Sequence, residues 1–136
     1  MATAQNQLNK LKDLNSLFII KPTTKVYIYS GNSDISNIYS KYNEIYFKDN
    51  TESWIGYTGQ ETIIINKFDP EQWYDFDVLN TVINNHPLRV KTERGVVNFI
   101  SKNFVIITQD HPNNWNYKYS NLQKLGQKLS NLISVR

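Results

Sequence analysis

Gly31 is the residue best placed for phosphate chemistry in this 136-residue sequence, because it follows a β-rich run, Lys25–Ser30, and precedes a candidate helix. A phosphate-binding loop at such a junction has the pattern Gly, four residues, Gly, Lys, then Ser or Thr. The last three places of that pattern fall on Ser36, Asn37 and Ile38. Without the lysine no cation meets the phosphates, and without the hydroxyl magnesium loses a direct ligand. Taken alone, Gly31 therefore indicates only a turn.

The elements that would position such a site alternate between strands and helices. The runs 62–65 and 104–108 are continuously apolar, which is typical of parallel strands covered on both faces. Parallel strands need crossover connections, so we expect an α/β fold. The sequence predicts strands at 25–30, 44–47, 62–65 and 104–108, helices at 34–43, 75–85 and 121–135, and a hairpin built from 88–90 and 96–99.

The composition is that of a globular chain, with 40% hydrophobic and 13% aromatic residues. The absence of cysteine excludes disulfides and thiolate metal sites. Two histidines, His86 and His111, are too few for a comfortable zinc site, and we expect no metal and no cofactor. Fifteen basic residues against 12 acidic ones give a net charge of +3, which permits nucleic-acid contact without requiring it.

The N-terminal segment differs from the rest of the chain. Residues 5–18 have the spacing of a short amphipathic helix, and we divide the chain into an N-terminal helix and linker, 1–24, and one domain, 25–136. No stretch approaches the roughly 20 apolar residues of a membrane span, and we expect an intracellular protein without a signal peptide, with an organelle as one alternative. The helix is expected to dock on protein through a leucine stripe: Leu8, Leu11, Leu14 and Leu17.

Three later segments are more distinctive than Gly31. They are Trp54-Ile55-Gly56-Tyr57-Thr58-Gly59-Gln60-Glu61 before Thr62-Ile63-Ile64-Ile65-Asn66-Lys67-Phe68; Asn85-His86-Pro87-Leu88-Arg89-Val90-Lys91; and Phe104-Val105-Ile106-Ile107-Thr108 before His111-Pro112 and Trp115. In this order and spacing they resemble the superfamily 3 helicase domain of Rep, the replication initiator of circovirus-like single-stranded DNA viruses. The resemblance covers about residues 25–133 and is strong from Trp54 to Trp115.

The resemblance implies a P-loop NTPase-like, mostly parallel sheet flanked by helices, with a β-hairpin insertion. It also implies that the Walker B strand, 62–65, and the sensor strand, 104–108, both lie beside the phosphate-loop strand, 25–30. In a sequence of 136 residues that resembles the helicase domain, we expect no room for the Rep nuclease domain. The hairpin would present Arg89, Lys91 and Arg94 to nucleic acid.

The departures from Rep fall on the positions that carry ATP chemistry. The two acids that end the Walker B strand in Rep are Asn66 and Lys67 here, and the sensor asparagine is replaced by Gln109 and Asp110. The interface arginines align loosely with Gln127 and Lys128, and the hairpin tip reads Glu93-Arg94-Gly95. Because phosphoryl transfer depends on positioning and charge stabilisation, these changes predict a protein that is not an enzyme.

Two function classes remain open, with a working ATPase as a distant third. The leading hypothesis is a catalytically inactive structural or interaction subunit of a larger assembly, such as a ribonucleoprotein or an organellar complex. The alternative is a single-stranded nucleic-acid-binding replication accessory protein. We expect other protein subunits as partners, and no nucleotide-driven hexamer, because the nucleotide that joins Rep subunits would be missing.

The aromatic side chains fit either class. They could stack on bases, but more often such residues lie in a core or at an interface with a partner. We favour the second interpretation and expect Trp73 and Trp115 to contact a partner protein. The set comprises Trp54, Tyr57, Trp73, Trp115, Tyr117 and Tyr119.

Overall fold

The computed structural model describes residues 23–31, 34–109 and 134–135. The predictions for the leucine stripe, Asp110, Trp115, Tyr117, Tyr119, Gln127, Lys128 and the helix over 121–133 lie outside these residues. The elements are β1 (Lys25–Ser30), α1 (Ile35–Tyr39), β2 (Ile45–Lys48), β3 (Thr62–Phe68), α2 (Phe76–Ile83), β4 (Arg89–Thr92), β5 (Gly95–Asn98), β6 (Asn103–Thr108) and β7 (Ser134–Val135).

The main sheet has five strands in the order β2-β3-β6-β1-β7, and every pair in it is parallel. Strands β4 and β5 form a separate antiparallel hairpin. The predicted α/β class, with a mostly parallel sheet and a hairpin, is therefore confirmed. Among the described residues no helix has the length and apolarity needed to cross a membrane.

One predicted neighbour relation is wrong. Strands β1, β3 and β6 share one sheet as expected, but β3 is not beside β1, because β6 lies between them and pairs with both. The central place of β6 has a physical reason, since five consecutive residues from Phe104 to Thr108 are buried. Such a strand is most stable where backbone partners and apolar neighbours surround it on all sides.

The predicted helix over 121–135 is wrong at its end. Ser134 and Val135 form β7, which pairs in parallel with Tyr27 and Ile28 of β1. The edge of β1 offers unpaired backbone groups, and satisfying those groups outweighs the continuation of a helix. The other elements agree with the predictions within a few residues, except that α1 has only five residues and buries only Ile38.

The two faces of the sheet have separate apolar clusters, because alternate residues of a strand point to opposite sides. On one face, Ile63, Ile65, Phe104 and Ile106 pack with α2, with the aromatic segment 54–57 and with the hairpin; we call this the hairpin face. On the other, Tyr29, Ile64, Val105 and Ile107 pack against Ile38; we call this the α1 face. The hairpin and α1 thus lie on opposite sides of the sheet.

Candidate functional site

A cavity of about 670 Å³ opens at the edge of the sheet where β1, β3 and β6 end. Ligands of open parallel sheets bind at this carboxyl edge, so the cavity is in the expected place for a phosphate site. The residues that line it include Gly31, Asn66, Lys67, Asp69, Thr108 and Gln109.

Gly31 closes the β1 side of the cavity. Its φ of +80° lies in the left-handed region that favours glycine, so the glycine is required by the backbone. Its amide donates to the carbonyl oxygens of Thr108 at 3.2 Å and of Gln109 at 3.1 Å. This amide is therefore already used within the protein, where a phosphate loop would turn it toward the ligand.

The beginning of α1 is capped by the chain itself. The Asp34 carboxylate accepts hydrogen bonds from the amides of Ser36 at 3.1 Å and Asn37 at 3.4 Å. A phosphate approaching these amides would meet a carboxylate of the same sign. Ser36 and Asn37 are exposed, whereas Ile38, at the place of the magnesium-binding hydroxyl, is 3% exposed and belongs to the core. Thus these three residues form a capped helix and not a phosphate cradle.

The end of β3 has an unusual backbone. The pairing of β3 with β6 is irregular between Ile65 and Phe68, and Lys67 there adopts a φ of +66°. The left-handed region costs a residue with a side chain roughly 1–2 kcal/mol, so other contacts must hold Lys67 there. Asn66 is half-buried and Lys67 is exposed, and both line the cavity.

Asn50 supplies those contacts. Its side-chain amide donates to the Lys67 carbonyl oxygen at 3.1 Å, and its side-chain oxygen accepts from the Asp69 amide at 2.9 Å. Its own carbonyl oxygen accepts from the Tyr74 amide at 3.0 Å. Asn50 is not recognisable as a site residue from the sequence, because 17 residues separate it from Lys67 and only the fold brings the two together.

The magnesium ion of the Rep-like site does not fit the residues at this edge. The two positions to which the resemblance to Rep assigns acids hold a neutral Asn66 and a cationic Lys67, and a cation there would repel the metal. Within the described part of the chain, no group of three or more His, Asp or Glu residues could hold a metal ion.

The hairpin presents two of the predicted nucleic-acid-binding cations side by side. Arg89 and Lys91 are exposed and lie two residues apart on β4, so they point to the same side, away from Val90 and Thr92, which are buried. Val96, which is 54% exposed, lies opposite Lys91 on β5. This outward side, which we call the cationic hairpin surface, combines two long cations with an exposed aliphatic residue.

Arg94 lies at the hairpin tip, which is well ordered by local hydrogen bonds. The Thr92 hydroxyl accepts from the Arg94 amide at 3.0 Å and donates to the Gly95 carbonyl oxygen at 3.0 Å. Gly95 has a φ of +108°, which only glycine adopts readily. The tip therefore holds Arg94, an exposed residue, next to the cationic hairpin surface.

A hydrogen bond at the tip of the hairpin and aromatic packing at its base hold it against the rest of the domain. At the tip, the exposed Glu93 carboxylate accepts from the Gly56 amide at 3.0 Å, and this bond holds the pKa of Glu93 below its usual value. At the base, Phe99 is buried and stacks on Tyr57, with ring centroids 5.9 Å apart. In the sequence, Glu93 is visible only as a departure from the Rep tip, and its contact with Gly56 depends on the fold.

Trp73 is buried by its own domain, which does not fit its predicted role as a partner contact. It is 5% exposed, and its ring centroid lies 5.4 Å from the ammonium of Lys48. The Lys48 side chain is fully buried, with Trp54 and Tyr74 also within about 5 Å, and its ammonium donates to the carbonyl oxygens of Asp49 and Thr51. Burial lowers the pKa of Lys48, while the Asp49 carboxylate opposes that shift.

No family model matches the chain. It is similar to the replication-associated protein of goose circovirus, with 31% identity over 72 residues that make up 53% of this chain and 24% of that protein. It is also similar to that of Porcine circovirus 1, with 27% identity over 86 residues, or 62% and 27% of the two chains. The replication-associated protein of Human associated cyclovirus 1 is 31% identical to this chain over 81 residues, which make up 60% of this chain and 28% of that protein.

The chain spans about a quarter of the length of these relatives. It is thus related to circovirus replication-associated proteins over part of its length. This relationship favours a replication-related function over the structural-subunit hypothesis, which was the leading hypothesis from the sequence.

Proposed function

We propose that the chain is a Rep-derived, replication-related protein whose helicase-like domain binds single-stranded nucleic acid without hydrolysing ATP. The observation that carries the proposal is the cationic hairpin surface, Arg89 and Lys91 beside the tip residue Arg94, in a chain related to replication-associated proteins. Long cations neutralise backbone phosphates, and that charge term supplies most of the affinity of sequence-independent binding. The exposed Val96, opposite Lys91 on β5, adds apolar contact for sugars and bases.

The proposed P-loop NTPase-like fold rests on the order of the elements and on the place of the cavity. Along the chain, β1 of the parallel sheet is followed by Gly31 and then by α1, and the cavity lies where β1, β3 and β6 end. The proposed loss of ATPase activity rests on chemistry at the same edge. Asn66 and Lys67 replace two acids, and the amides of Gly31, Ser36 and Asn37 are bonded within the chain.

Fluorescence anisotropy with a labelled single-stranded oligonucleotide tests the binding proposal, using the full chain at several salt concentrations. The logarithm of the affinity should fall linearly with the logarithm of salt, by roughly 0.7 for each single-strand phosphate contacted. Replacing both Arg89 and Lys91 with Gln should lower that slope by about 1.4. The control is Lys41→Gln, an exposed lysine that lies over Tyr29 on the α1 face and should leave the slope unchanged.

An unchanged slope in the Arg89→Gln/Lys91→Gln variant would contradict the hairpin assignment. If the unsubstituted chain fails to bind the oligonucleotide at low salt, the structural-subunit hypothesis is preferred. The ATPase part has its own measurement: millimolar ATP with magnesium should give no rise in melting temperature and no phosphate release, because only a ligand of the native state raises that temperature. A rise of several degrees would contradict it.

A further inference from the structure

We propose that Trp54, Trp73 and Tyr74 form a binding site for an alkylammonium group, that the Lys48 side chain is its resident ligand, and that the occupied site positions the hairpin. We call this site the ammonium cage. It is distinct from the cationic hairpin surface, so the inference goes beyond the proposed function, and no step of it requires nucleic acid.

The ammonium of Lys48 is removed from water, which is costly for a charged group. Lys48 is the one buried lysine among the residues that the structure describes, and its side chain is fully covered. The ammonium donates to the carbonyl oxygens of Asp49 at 3.0 Å and of Thr51, and to the Asp49 carboxylate at 3.4 Å. An ammonium has three N–H donors, and each has an acceptor here. The protein therefore supplies the hydrogen-bond partners that water would otherwise provide.

Three aromatic rings surround the same ammonium. Its distance to the ring centroid is 5.3 Å for Trp54, 5.4 Å for Trp73 and 5.0 Å for Tyr74, within the roughly 6 Å at which a ring face attracts a cation. The indole N–H of Trp54 donates to the Tyr74 hydroxyl at 2.9 Å. The indole N–H of Trp73 donates to the Asp75 carbonyl oxygen at 2.7 Å. Clusters of aromatic faces of this kind recognise organic ammonium ligands, and here the ligand is a side chain of the same protein.

The ammonium cage is joined to the hairpin through Trp54. The ring of Trp54 packs edge-to-face against that of Phe99, which follows β5, with centroids 6.1 Å apart. Two residues after Trp54, Gly56 donates its amide to the Glu93 carboxylate at the hairpin tip. Because the Lys48 ammonium fixes the segment that makes both contacts, we expect it to position the hairpin from below.

Thermal unfolding of the full chain with Lys48→Ala tests the ammonium cage, because the substitution removes the atoms of propylammonium. We expect Lys48→Ala to lower the melting temperature by roughly 5–10 °C. Propylammonium chloride should raise it again by roughly 3 °C or more relative to sodium chloride at matched ionic strength. Propan-1-ol, a neutral molecule of the same size, should give no such recovery. The matched control is Lys41→Ala, which removes an exposed ammonium 5.7 Å from the centroid of one ring, that of Tyr29, and which propylammonium should not stabilise.

Hydrogen exchange of two glycine amides separates positioning of the hairpin from a general loss of stability. The Gly56 amide is bonded to Glu93, whereas the Gly31 amide is bonded to two carbonyl oxygens at the carboxyl end of β6. In Lys48→Ala the Gly56 amide should exchange about threefold faster or more, while the Gly31 amide keeps its rate. Propylammonium should slow the Gly56 amide again. Equal acceleration of both amides would overturn the positioning role.

Nuclear magnetic resonance of the unsubstituted chain decides the matter if Lys48→Ala does not fold. Protons held over aromatic ring faces resonate upfield, so the methylene protons beside the Lys48 ammonium should lie upfield of those of the other lysines. Lys48→Met keeps the length of the stem, removes the ammonium and identifies the signal by its loss. The proposal is overturned if no lysine signal is shifted in this way, if propylammonium does not stabilise folded Lys48→Ala, or if propan-1-ol stabilises it equally. Failure of the proposed function is recognised separately, by the oligonucleotide titration.

Discussion

The Tyr57 hydroxyl joins the aromatic segment after β2 to the chain that leaves the hairpin. It lies 2.9 Å from the Ser101 hydroxyl and accepts from the Ile100 amide at 3.0 Å, and the Tyr57 side chain is 2% exposed. Burial raises the pKa of Tyr57, while the bond to Ser101 opposes the shift, so the group is neutral at ordinary pH. Replacing Tyr57 with Phe removes only this oxygen and keeps the stack on Phe99.

The cost of Tyr57→Phe follows from what loses its partner. The Ile100 amide loses the acceptor it has in the structure. An unsatisfied buried donor costs about 1–3 kcal/mol, and this donor lies toward the lower end of that range because its bond is only partly buried and Ile100 is 45% exposed. Ser101 loses less, because its hydroxyl still donates to the Gln60 carbonyl oxygen at 2.5 Å. We therefore expect a loss of about 2 kcal/mol in the free energy of unfolding. For a chain of this size that lowers the melting temperature by roughly 6 °C.

Urea unfolding followed by tryptophan fluorescence measures the change, and the slope with denaturant should stay constant, because the surface exposed on unfolding is the same. The matched control is Tyr42→Phe, whose hydroxyl lies 2.8 Å from that of Tyr29 on the α1 face and is half-exposed. Water can replace that bond, so we expect a loss below about 1 kcal/mol. Equal losses in the two variants, or a loss below about 0.5 kcal/mol for Tyr57→Phe, would refute the reasoning.

Three more predictions concern single positions. Gly59→Ala should lower the free energy of unfolding by about 1–2 kcal/mol in urea, because the φ of Gly59 is +85° and an added Cβ would lie 2.9 Å from the Ile100 side chain. Gly31→Ala should cost less, because Gly31 has a similar φ of +80° but no atom within 4 Å of the added Cβ. A larger loss for Gly31→Ala than for Gly59→Ala would contradict this. Burial raises the pKa of Tyr46 to about 12 in the folded state, so between pH 10 and 12 the folded chain holds the proton that the unfolded chain releases. Stability should therefore fall as pH rises through that range, and Tyr46→Phe should flatten the fall. Lys67→Gly should raise the free energy of unfolding by about 1 kcal/mol by relieving the left-handed backbone, whereas a destabilised variant would show that the lysine side chain supports the fold.

The strands of the main sheet could be predicted because their signals are local. The runs at 62–65 and 104–108 are apolar without interruption, and Lys25–Ser30 ends at a glycine, so burial on both faces and a parallel sheet follow from the residues themselves. The hairpin could also be predicted, because its turn ends at Gly95 and glycine is the residue that most readily adopts the positive φ of a tight turn, which is +108° here. The outward side of β4, with Arg89 and Lys91, follows from the two-residue alternation of a strand.

The order of the strands could not be predicted in the same way. The resemblance to Rep predicts β3 beside β1, whereas β6 separates them in the structure. The order depends on which strand has the most apolar surface to bury in the centre of the sheet. Ser134 and Val135 joined β1 as a strand for a related reason: an open edge of the sheet competes with local helix preference. The place of Trp73 was also decided by the fold, which surrounds the Lys48 ammonium with three aromatic rings.

The sequence by itself determined that the residues after Gly31 depart from the phosphate-loop pattern, with Asn37 and Ile38 in the places of its lysine and its hydroxyl, because side-chain types are visible without coordinates. Only the tertiary structure decided what the altered residues do instead. Asn50 holds Lys67 in a left-handed conformation across 17 residues of sequence, and Asp34 caps the amides of α1. These contacts depend on hydrogen-bond directions and on backbone angles, which side-chain types alone do not specify.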